Sequence, residues 1–584
     1  MYFPRSARTL MGLTGDSIPP WRMLKIMLTR RPHLSFRSPV LWLGLLGTAL
    51  VACAQSAPGP RSAATPQPID AYIHSAWGTL TRSMSDCASI ADPKLKSTPV
   101  LYLPRDLALP ADVAALQKQC HVRVLRLPIV ITHFDQIRES QITTPGLLYL
   151  PHPYVVPGGR FNEMYGWDSF FILKGLLDDH HVALARGIVE NFFFEIAHYG
   201  GVLNANRTYY FTRSQPPFLS PMIRAVYDAE MAESHRKAAH AWLVEAYPYA
   251  VRDHALWMSP IHHAGNTGLA RYFDTGQGPV PEMADDSSYY PDVIRWLLAH
   301  PSVPTHYLVH TSPHPDAEAR VELAQLSCDP ARSRVCARAH VRGYWLTRSF
   351  YKGDRAMRES GFDTTFRFGP FSGSTQHYAA VGLNALLYKY ERDLAWMAAQ
   401  LGQPGEAVQW RAEAKARRAA MNRYLWNPRK RMYFDYNFIT RQQSSYAFIT
   451  TFYPLWAGAA DKKQQQGVIA ALPIFEHPGG LAISDHDSGE QWDLPYGWAP
   501  TEWIAVEGLL RAHDTGDARR IAGEFNRTVR NTYRHDRAIY EKYDVVNGTK
   551  DFRVTAGYTQ NVVGFGWTNA VYLEFQALLA HASR

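Results

Sequence analysis

The chain has 584 residues, of which 46% are hydrophobic and 19% are charged; this composition excludes a disordered protein and indicates a large buried core. Its formal charge of +9 comes mostly from residues 1–52, which hold seven Lys or Arg residues and one acidic residue, leaving 54 basic and 51 acidic residues elsewhere. Because no basic run interleaved with aromatic residues stands out in that remainder, nucleic-acid binding is not expected.

Residues 1–52 are typical of an export signal. A basic segment at 30–37 precedes a thirteen-residue apolar run at 40–52, which is too short to span a bilayer as a helix. The run ends in Leu-Val-Ala-Cys, which resembles a bacterial lipobox with Cys53 as the lipidated residue. An ordinary cleaved signal with a chance cysteine is the alternative. We therefore expect a periplasmic protein that is held at a membrane only by lipid on Cys53.

The sequence predicts two further regions after residue 52. Residues 53–69 are rich in Pro, Ala and Ser and form a tether, and residues 70–582 form one domain. Early in that domain, β-branched runs at 98–104 and 122–131 predict strands on either side of a helix at 111–120. Apolar residues with three- and four-residue spacing then predict amphipathic helices at 181–200, 231–247, 379–401, 404–426, 499–514 and 517–533.

Four cysteines follow Cys53, and an even number in an exported chain favours disulfide bonds. Their separations suggest the pairs Cys87–Cys120 and Cys328–Cys336, although four cysteines permit three pairings. The sequence contains no His-Glu-x-x-His motif and no clustered Cys/His pattern. A metal site is therefore not expected, and the histidines are interpreted as solvated or core residues.

The loops between the predicted helices contain the concentrated polar and aromatic motifs. These are PGGRFNEMYGWDSFF (157–171), NANRTYYFTRSQPPF (204–218), ESGFDTTFRFG (359–369), SGEQWDLPYGWAP (488–500), EKYDV (541–545) and FGWTN (565–569). In content and order the six stretches resemble the trehalases. The resemblance implies an all-α fold, an (α/α) toroid of six helical hairpins with a short strand-containing N-terminal segment, and hydrolysis of α,α-trehalose to two glucose molecules with inversion.

Inverting hydrolysis of a glycosidic bond needs a protonated carboxyl that assists the leaving oxygen and an ionised carboxylate that deprotonates water. Asp363 is surrounded in sequence by three phenylalanines, which would raise its pKa and suit a general acid. Glu541 precedes Lys542 in a polar segment, where an ionised carboxylate is stable. The family resemblance assigns the acid role to Asp363 and the base role to Glu541.

A sugar must also be held, by forked donors on its hydroxyls and by indole faces on its apolar side. Arg160, Arg213 and Gln215 are the candidate donors. The resemblance adds the pocket residues Trp167, Asp168, Asn204, Glu282, Gly361, Gln491, Trp492 and Asp493. The alternative interpretation for Trp492 and Trp498 is a purely structural place in the core.

The sequence departs from the family pattern at two places. Val280 stands where trehalases usually have an arginine, and residues 546–564 replace a glycine-rich lid, with Gly557 about where its glutamate belongs. The replacement is bulkier, so we expect a more ordered lid. These departures leave two alternatives open: an inverting α-glycosidase for another α-glucoside, or a surface lipoprotein that binds glycans without cleaving them. We expect a monomer without cofactors.

Overall fold

The computed structural model describes residues 67–580 apart from 91–97, 139–140, 143, 234, 285–287, 304–305, 313–314, 332 and 558–559. The described residues fall within one compact unit, Pro66–Arg584. The predicted signal peptide, Cys53 and most of the predicted tether lie outside the described residues. Among the helices that are described, none is both long and apolar enough to cross a membrane.

The helices, in chain order, are α1 (Ile69–Leu80), α2 (Cys87–Ile90), α3 (Ala111–Cys120), α4 (Gly166–Asp178), α5 (Val182–His198), α6 (Leu219–Ala232), α7 (Arg236–Trp257), α8 (Tyr289–Ala299), α9 (Ala317–Ala324), α10 (Arg348–Glu359), α11 (Val381–Gln400), α12 (Pro404–Tyr424), α13 (Tyr453–Ala457), α14 (Lys462–Ala470), α15 (Ala499–Arg511), α16 (Thr515–Asp536) and α17 (Gly566–Ala580).

The strands are short: β1 (Thr81–Arg82), β2 (Val100–Leu103), β3 (Arg123–Arg126), β4 (Leu147–Leu148), β5 (Tyr154–Val155), β6 (Leu308–His310), β7 (His340–Val341), β8 (Tyr344–Leu346), β9 (Tyr378–Ala379), β10 (Trp426–Asn427), β11 (Met432–Tyr433), β12 (Tyr436–Asn437), β13 (Gln442–Gln443), β14 (Glu476–His477), β15 (Gly480–Leu481), β16 (Tyr496–Trp498) and β17 (Lys542–Asp544). They form sheets of two or three strands. The sheet orders are β3-β2-β4, β6-β8-β7, β13-β12-β9, β1-β5, β10-β11, β14-β15 and β16-β17.

The architecture is a closed ring of helices. Helices α4, α6, α11, α13, α15 and α17 each contact the next in this order, and α17 contacts α4. Helices α5, α7, α12 and α16 pack outside the ring. The (α/α) toroid predicted from the family resemblance is confirmed.

The sequence of each helix decides its layer. Helix α11 buries 15 of its 20 residues, whereas α12 buries only four of 21, so α11 is apolar on most faces and α12 on a narrow stripe. Ring closure also needs a small residue, since a Cβ on Gly175 of α4 would lie 2.6 Å from the Cβ of Ala570 on α17.

The predicted N-terminal segment and disulfides are also confirmed. Strands β2 and β3 are parallel, with Val100 opposite Arg123, and α3 connects them. Disulfide bonds join Cys87 to Cys120 and Cys328 to Cys336.

The motif-bearing segments were predicted to be loops, but parts of them lie in helices or next to strands. Trp167 and Asp168 lie in the first turn of α4, and Trp567 lies in the first turn of α17. Glu541 directly precedes strand β17, which pairs antiparallel with β16. The segments therefore end on regular elements, which hold their side chains in place.

Candidate active site

One cavity collects the predicted site residues. It is lined by Arg160, Trp167, Asp168, Asn204, Arg213, Gln215, Glu282, Gly361, Asp363, Gln491, Trp492 and Glu541. Asp493 is the predicted residue that does not line the cavity. Further lining residues that the sequence analysis did not select as binding residues include Phe161, Tyr210, Met283, Tyr289, Arg358, Thr364, Trp498, Ala556, Gly557, Phe565 and Trp567.

An aromatic cluster forms one wall of the cavity. The Trp167 ring centroid lies 5.8 Å from those of Trp492 and Trp567, and Trp492 stacks on Trp498 at 3.7 Å with an interplanar angle of 7°. Trp498 is buried and also lines the cavity, so it has both a structural place in the core and a place on the cavity wall. Gly361 has φ of 76°, and a Cβ there would lie 2.8 Å from Trp167, so glycine is required.

Asp363 lies in the loop that follows α10. Its side chain is 36% exposed, and the Arg358 Nη1 lies 3.5 Å from its Oδ2. Burial in the cavity raises the pKa of Asp363 to about 6, while Arg358 and Arg213 hold it lower. The direction of this pKa shift matches the prediction. Phe366 and Phe368, however, pack mainly against Phe371 and Tyr378 respectively.

Glu541 is more enclosed than Asp363. Its side chain is 6% exposed, and its Oε2 lies 2.6 Å from the Nζ of Lys542, which is completely buried. The ammonium of Lys542 lies over the ring of Trp498, with 4.7 Å to the centroid. The Trp567 indole N–H donates to the Glu541 carbonyl at 3.1 Å, which fixes the backbone at this position.

Asp168 is electrostatically coupled to both of these carboxyl groups. Burial, and then the negative charges of Glu541 and Asp363, raise the pKa of Asp168 well above its usual range. Its helix, α4, is held at the N-terminus by the Gln215 Oε1, which accepts from the Trp167 backbone N–H at 2.8 Å. The three carboxyls therefore share one cavity.

Arginines bring positive charge to the same cavity. Arg213 donates to Glu282 and also lies 3.5 Å from Asp274. Arg358 pairs with Asp354 at 3.2 Å and lies over the Tyr289 ring, in addition to its contact with Asp363. Arg358 was not predicted from the sequence, although its position five residues before Asp363, in the last turn of α10, was an available signal.

Several polar atoms of the cavity residues are buried but have no hydrogen-bond partner among the described residues. They are the Oε1 of Gln491, the Oε2 of Glu282 and the Nε of Arg213. Unpaired buried polar atoms are costly unless another group satisfies them. All three atoms belong to residues that line the cavity.

Asp493 was expected to line the pocket, but it lies behind the cavity wall. Its carboxylate accepts from the Thr365 hydroxyl at 3.0 Å, the Phe366 backbone N–H at 2.9 Å and the Ser488 hydroxyl at 2.6 Å. Its contacts therefore brace the loop that carries Asp363.

A possible cation site lies apart from the cavity-lining residues. His254, Glu391 and Glu413 place ligand atoms within 4.8 Å of one another. The Arg417 Nε, however, donates to Glu391 at 2.7 Å, so a cationic group already occupies this carboxylate. These residues do not fit a metal ion well.

Comparison with known proteins gives consistent results. The trehalase family model matches residues 103–294 and 312–580. A probable trehalase of Eremothecium gossypii is 33% identical over 558 residues, covering 86% of this chain and 71% of that protein. The cytosolic neutral trehalase of Saccharomyces cerevisiae is 33% identical over 576 residues, covering 87% and 71%. The solved neutral trehalase Nth1 from Saccharomyces cerevisiae superposes with a TM-score of 0.71 at 31% identity, covering 88% of this chain and 94% of that one.

The helical ring and its carboxyl-bearing cavity place the protein among the glycoside hydrolases. Within that class, the family match extends over more than half of the residues. The chain belongs to the trehalase family.

The predicted periplasmic location is wrong. Relatives from Kluyveromyces lactis, Saccharomyces cerevisiae and Neurospora crassa, each 33% identical, are named cytosolic neutral trehalases. A basic segment followed by thirteen apolar residues is a short compositional pattern with low specificity. Cys53, the predicted lipidation site, lies outside the described residues.

Proposed function

We propose that the protein hydrolyses α,α-trehalose to two glucose molecules by single displacement with inversion, with Asp363 as general acid and Glu541 as general base. The proposal rests mainly on one observation: both carboxyls line the same cavity, together with the candidate sugar-binding residues. Membership of the trehalase family supports trehalose as the substrate.

The acid step is assigned to Asp363. A pKa of about 6 leaves a fraction of this carboxyl protonated near neutral pH, so it can donate its proton to the glycosidic oxygen as the bond to the anomeric carbon breaks. Arg358, at 3.5 Å, then stabilises the carboxylate that remains. The departing glucose leaves with its configuration unchanged.

The base step is assigned to Glu541. Its carboxylate removes a proton from water while that water attacks the anomeric carbon from the opposite face of the sugar. The buried ammonium of Lys542 balances the carboxylate charge at 2.6 Å. The attacked glucose is released as the β-anomer, and acid–base hydrolysis of this kind needs no metal or redox group.

We assign the remaining cavity residues to substrate binding. Arg160, Arg213 and Gln215 supply donors, and Trp167 and Trp492 supply the aromatic wall. Asp168, Asn204, Glu282, Gly361 and Gln491 complete the pocket. We further propose that residues 70–582 act as one catalytic domain, because the lining residues lie between positions 157 and 567 of one compact unit, and that this domain acts as a monomer.

The test is glucose release from trehalose, maltose, nigerose and kojibiose by the purified protein. We expect trehalose to be cleaved with the highest kcat/KM. A higher kcat/KM for one of the other three would establish the alternative α-glucosidase. The observation that favours this alternative is Gly557, which lines the cavity and stands about where the family pattern has a glutamate. Glycan binding without any cleavage would contradict both proposals.

A further inference from the structure

Residues 549–557, here called the lid segment, are hydrogen-bonded to the loop that carries Glu490 and to Tyr496 at the start of β16. The Thr555 N–H donates to the Gly489 carbonyl at 2.9 Å, and the Arg553 N–H donates to the Tyr496 hydroxyl at 2.9 Å. The Ala556 N–H donates to the Glu490 Oε1 at 3.2 Å. Because Ala556 and Gly557 line the cavity, these bonds set the position of its rim.

The same loop also contacts the residues around the proposed acid. The hydroxyl of Thr364, the residue after Asp363, donates to the Glu490 Oε2. The Trp492 N–H donates to the Thr364 carbonyl at 3.0 Å. Glu490 therefore uses one carboxyl oxygen for the lid segment and the other for the acid loop.

The Glu490 carboxyl is completely buried, and neither of these two contacts is to a cation. Burial raises its pKa to about 8, although the bond from the Thr364 hydroxyl holds the pKa lower. The group is thus mainly uncharged at neutral pH. A buried carboxyl without partners would be costly, and here each of its two oxygens accepts a bond from a segment at the cavity.

We propose that Glu490 is a positioning residue that couples the lid segment to the acid loop, so that the order of one depends on the other. Only the expected changes in KM and kcat for trehalose rest on the proposed hydrolytic function; the coupling of the two segments does not. The physical coupling passes through the carboxyl group, from the Ala556 N–H to the Thr364 hydroxyl.

The most direct test removes the contact at the end remote from the lid segment. In Thr364→Val, which keeps the side-chain shape and deletes the hydroxyl, the amides of residues 549–557 should exchange about five- to tenfold faster, the factor of one buried hydrogen bond. Hydrogen exchange with mass spectrometry measures this. A purely local role for Thr364 would leave the exchange of the lid segment unchanged.

Variants of Glu490 extend the test. Glu490→Ala should speed lid exchange by a similar factor and raise the KM for trehalose more than it lowers kcat. Glu490→Gln retains an acceptor and a donor in place of the neutral carboxyl, so lid exchange and kcat should stay within about twofold of wild type. Glu502→Gln is the matched control, since the buried Glu502 instead accepts from the Leu481 N–H at 2.6 Å.

The proposal is overturned if lid exchange is the same in Thr364→Val as in wild type, or if Glu490→Gln disturbs the lid as much as Glu490→Ala does. Should Glu490→Ala fail to fold, Thr364→Val and Glu490→Gln still decide the question. Failure of the proposed function is distinct, because wild-type protein would then release no glucose from trehalose, whereas the exchange comparison stands independently of activity.

Discussion

The two proposed catalytic carboxyls lie on one cavity but in different surroundings. Asp363 is 36% exposed, lies in a loop and has the Arg358 guanidinium at 3.5 Å. Glu541 is 6% exposed, directly precedes a strand and has a completely buried ammonium at 2.6 Å. The difference bears on the two roles: between turnovers the acid regains a proton and the base releases one, and the more exposed Asp363 can exchange protons with water more directly than the enclosed Glu541.

The largest expected effect is loss of turnover when either carboxyl is neutralised. Asp363→Asn and Glu541→Gln should each lower kcat by about 10²–10⁴-fold, the contribution of a positioned acid or base. Steady-state assays with trehalose measure this. Asp228→Asn, at a side chain that is 62% exposed on α6, is the control and should keep wild-type kcat. Near-normal turnover in either cavity variant would remove that residue from its role.

The same pair of variants should differ in stability. Glu541→Gln removes the negative charge beside the buried Lys542 ammonium and should lower the free energy of unfolding by about 3 kcal/mol. Asp363→Asn deletes a carboxyl whose pKa is already raised by burial and should change it by less than about 1 kcal/mol. Urea denaturation measures both. Equal losses would show that the two environments do not differ as described.

A smaller effect is expected from Arg358, the cation beside the acid. The general acid must be protonated, so kcat/KM of wild type should fall as the pH rises through about 6. Arg358→Met removes a charge that favours ionised Asp363, so the pKa rises and this limb moves about one unit to higher pH.

Arg358→Lys retains the charge and is the matched variant for this prediction, with a limb close to that of wild type. The pH profiles of kcat/KM for the three proteins provide the measurement. A limb that moves to lower pH in Arg358→Met would contradict the assignment of the limb to Asp363.

The parts of the fold that the sequence predicted are those with a fixed period. Apolar spacing located α5, α11 and α15 within a few residues, because a helix repeats its buried face every 3.6 residues. Loops have no such period. In the loop at 488–493, Gln491 and Trp492 line the cavity while Asp493 lies behind it, and sequence order does not indicate this alternation.

Cavity-lining residues were predicted where a motif carried them and missed where only the tertiary fold creates the contact. Asp363 and Glu541 are 178 residues apart, and closure of the helical ring brings both to one cavity. Arg358 and Glu490 stand next to motif residues, but their contacts with Asp363 and the lid segment depend on how α10 and the 488–493 loop pack. The location was predicted wrongly because it rested on short N-terminal patterns, a thirteen-residue apolar run and a four-residue lipobox-like motif, which have low specificity.

The stereochemistry of hydrolysis tests the central claim most directly. An inverting site should release equal amounts of α- and β-glucose from trehalose at early times, since the attacked residue leaves as the β-anomer and the other as the α-anomer. Proton NMR of the first minutes of hydrolysis, before mutarotation, resolves the two anomeric signals. We predict a ratio close to one. Release of α-glucose alone would contradict the inverting mechanism and the roles given to Asp363 and Glu541.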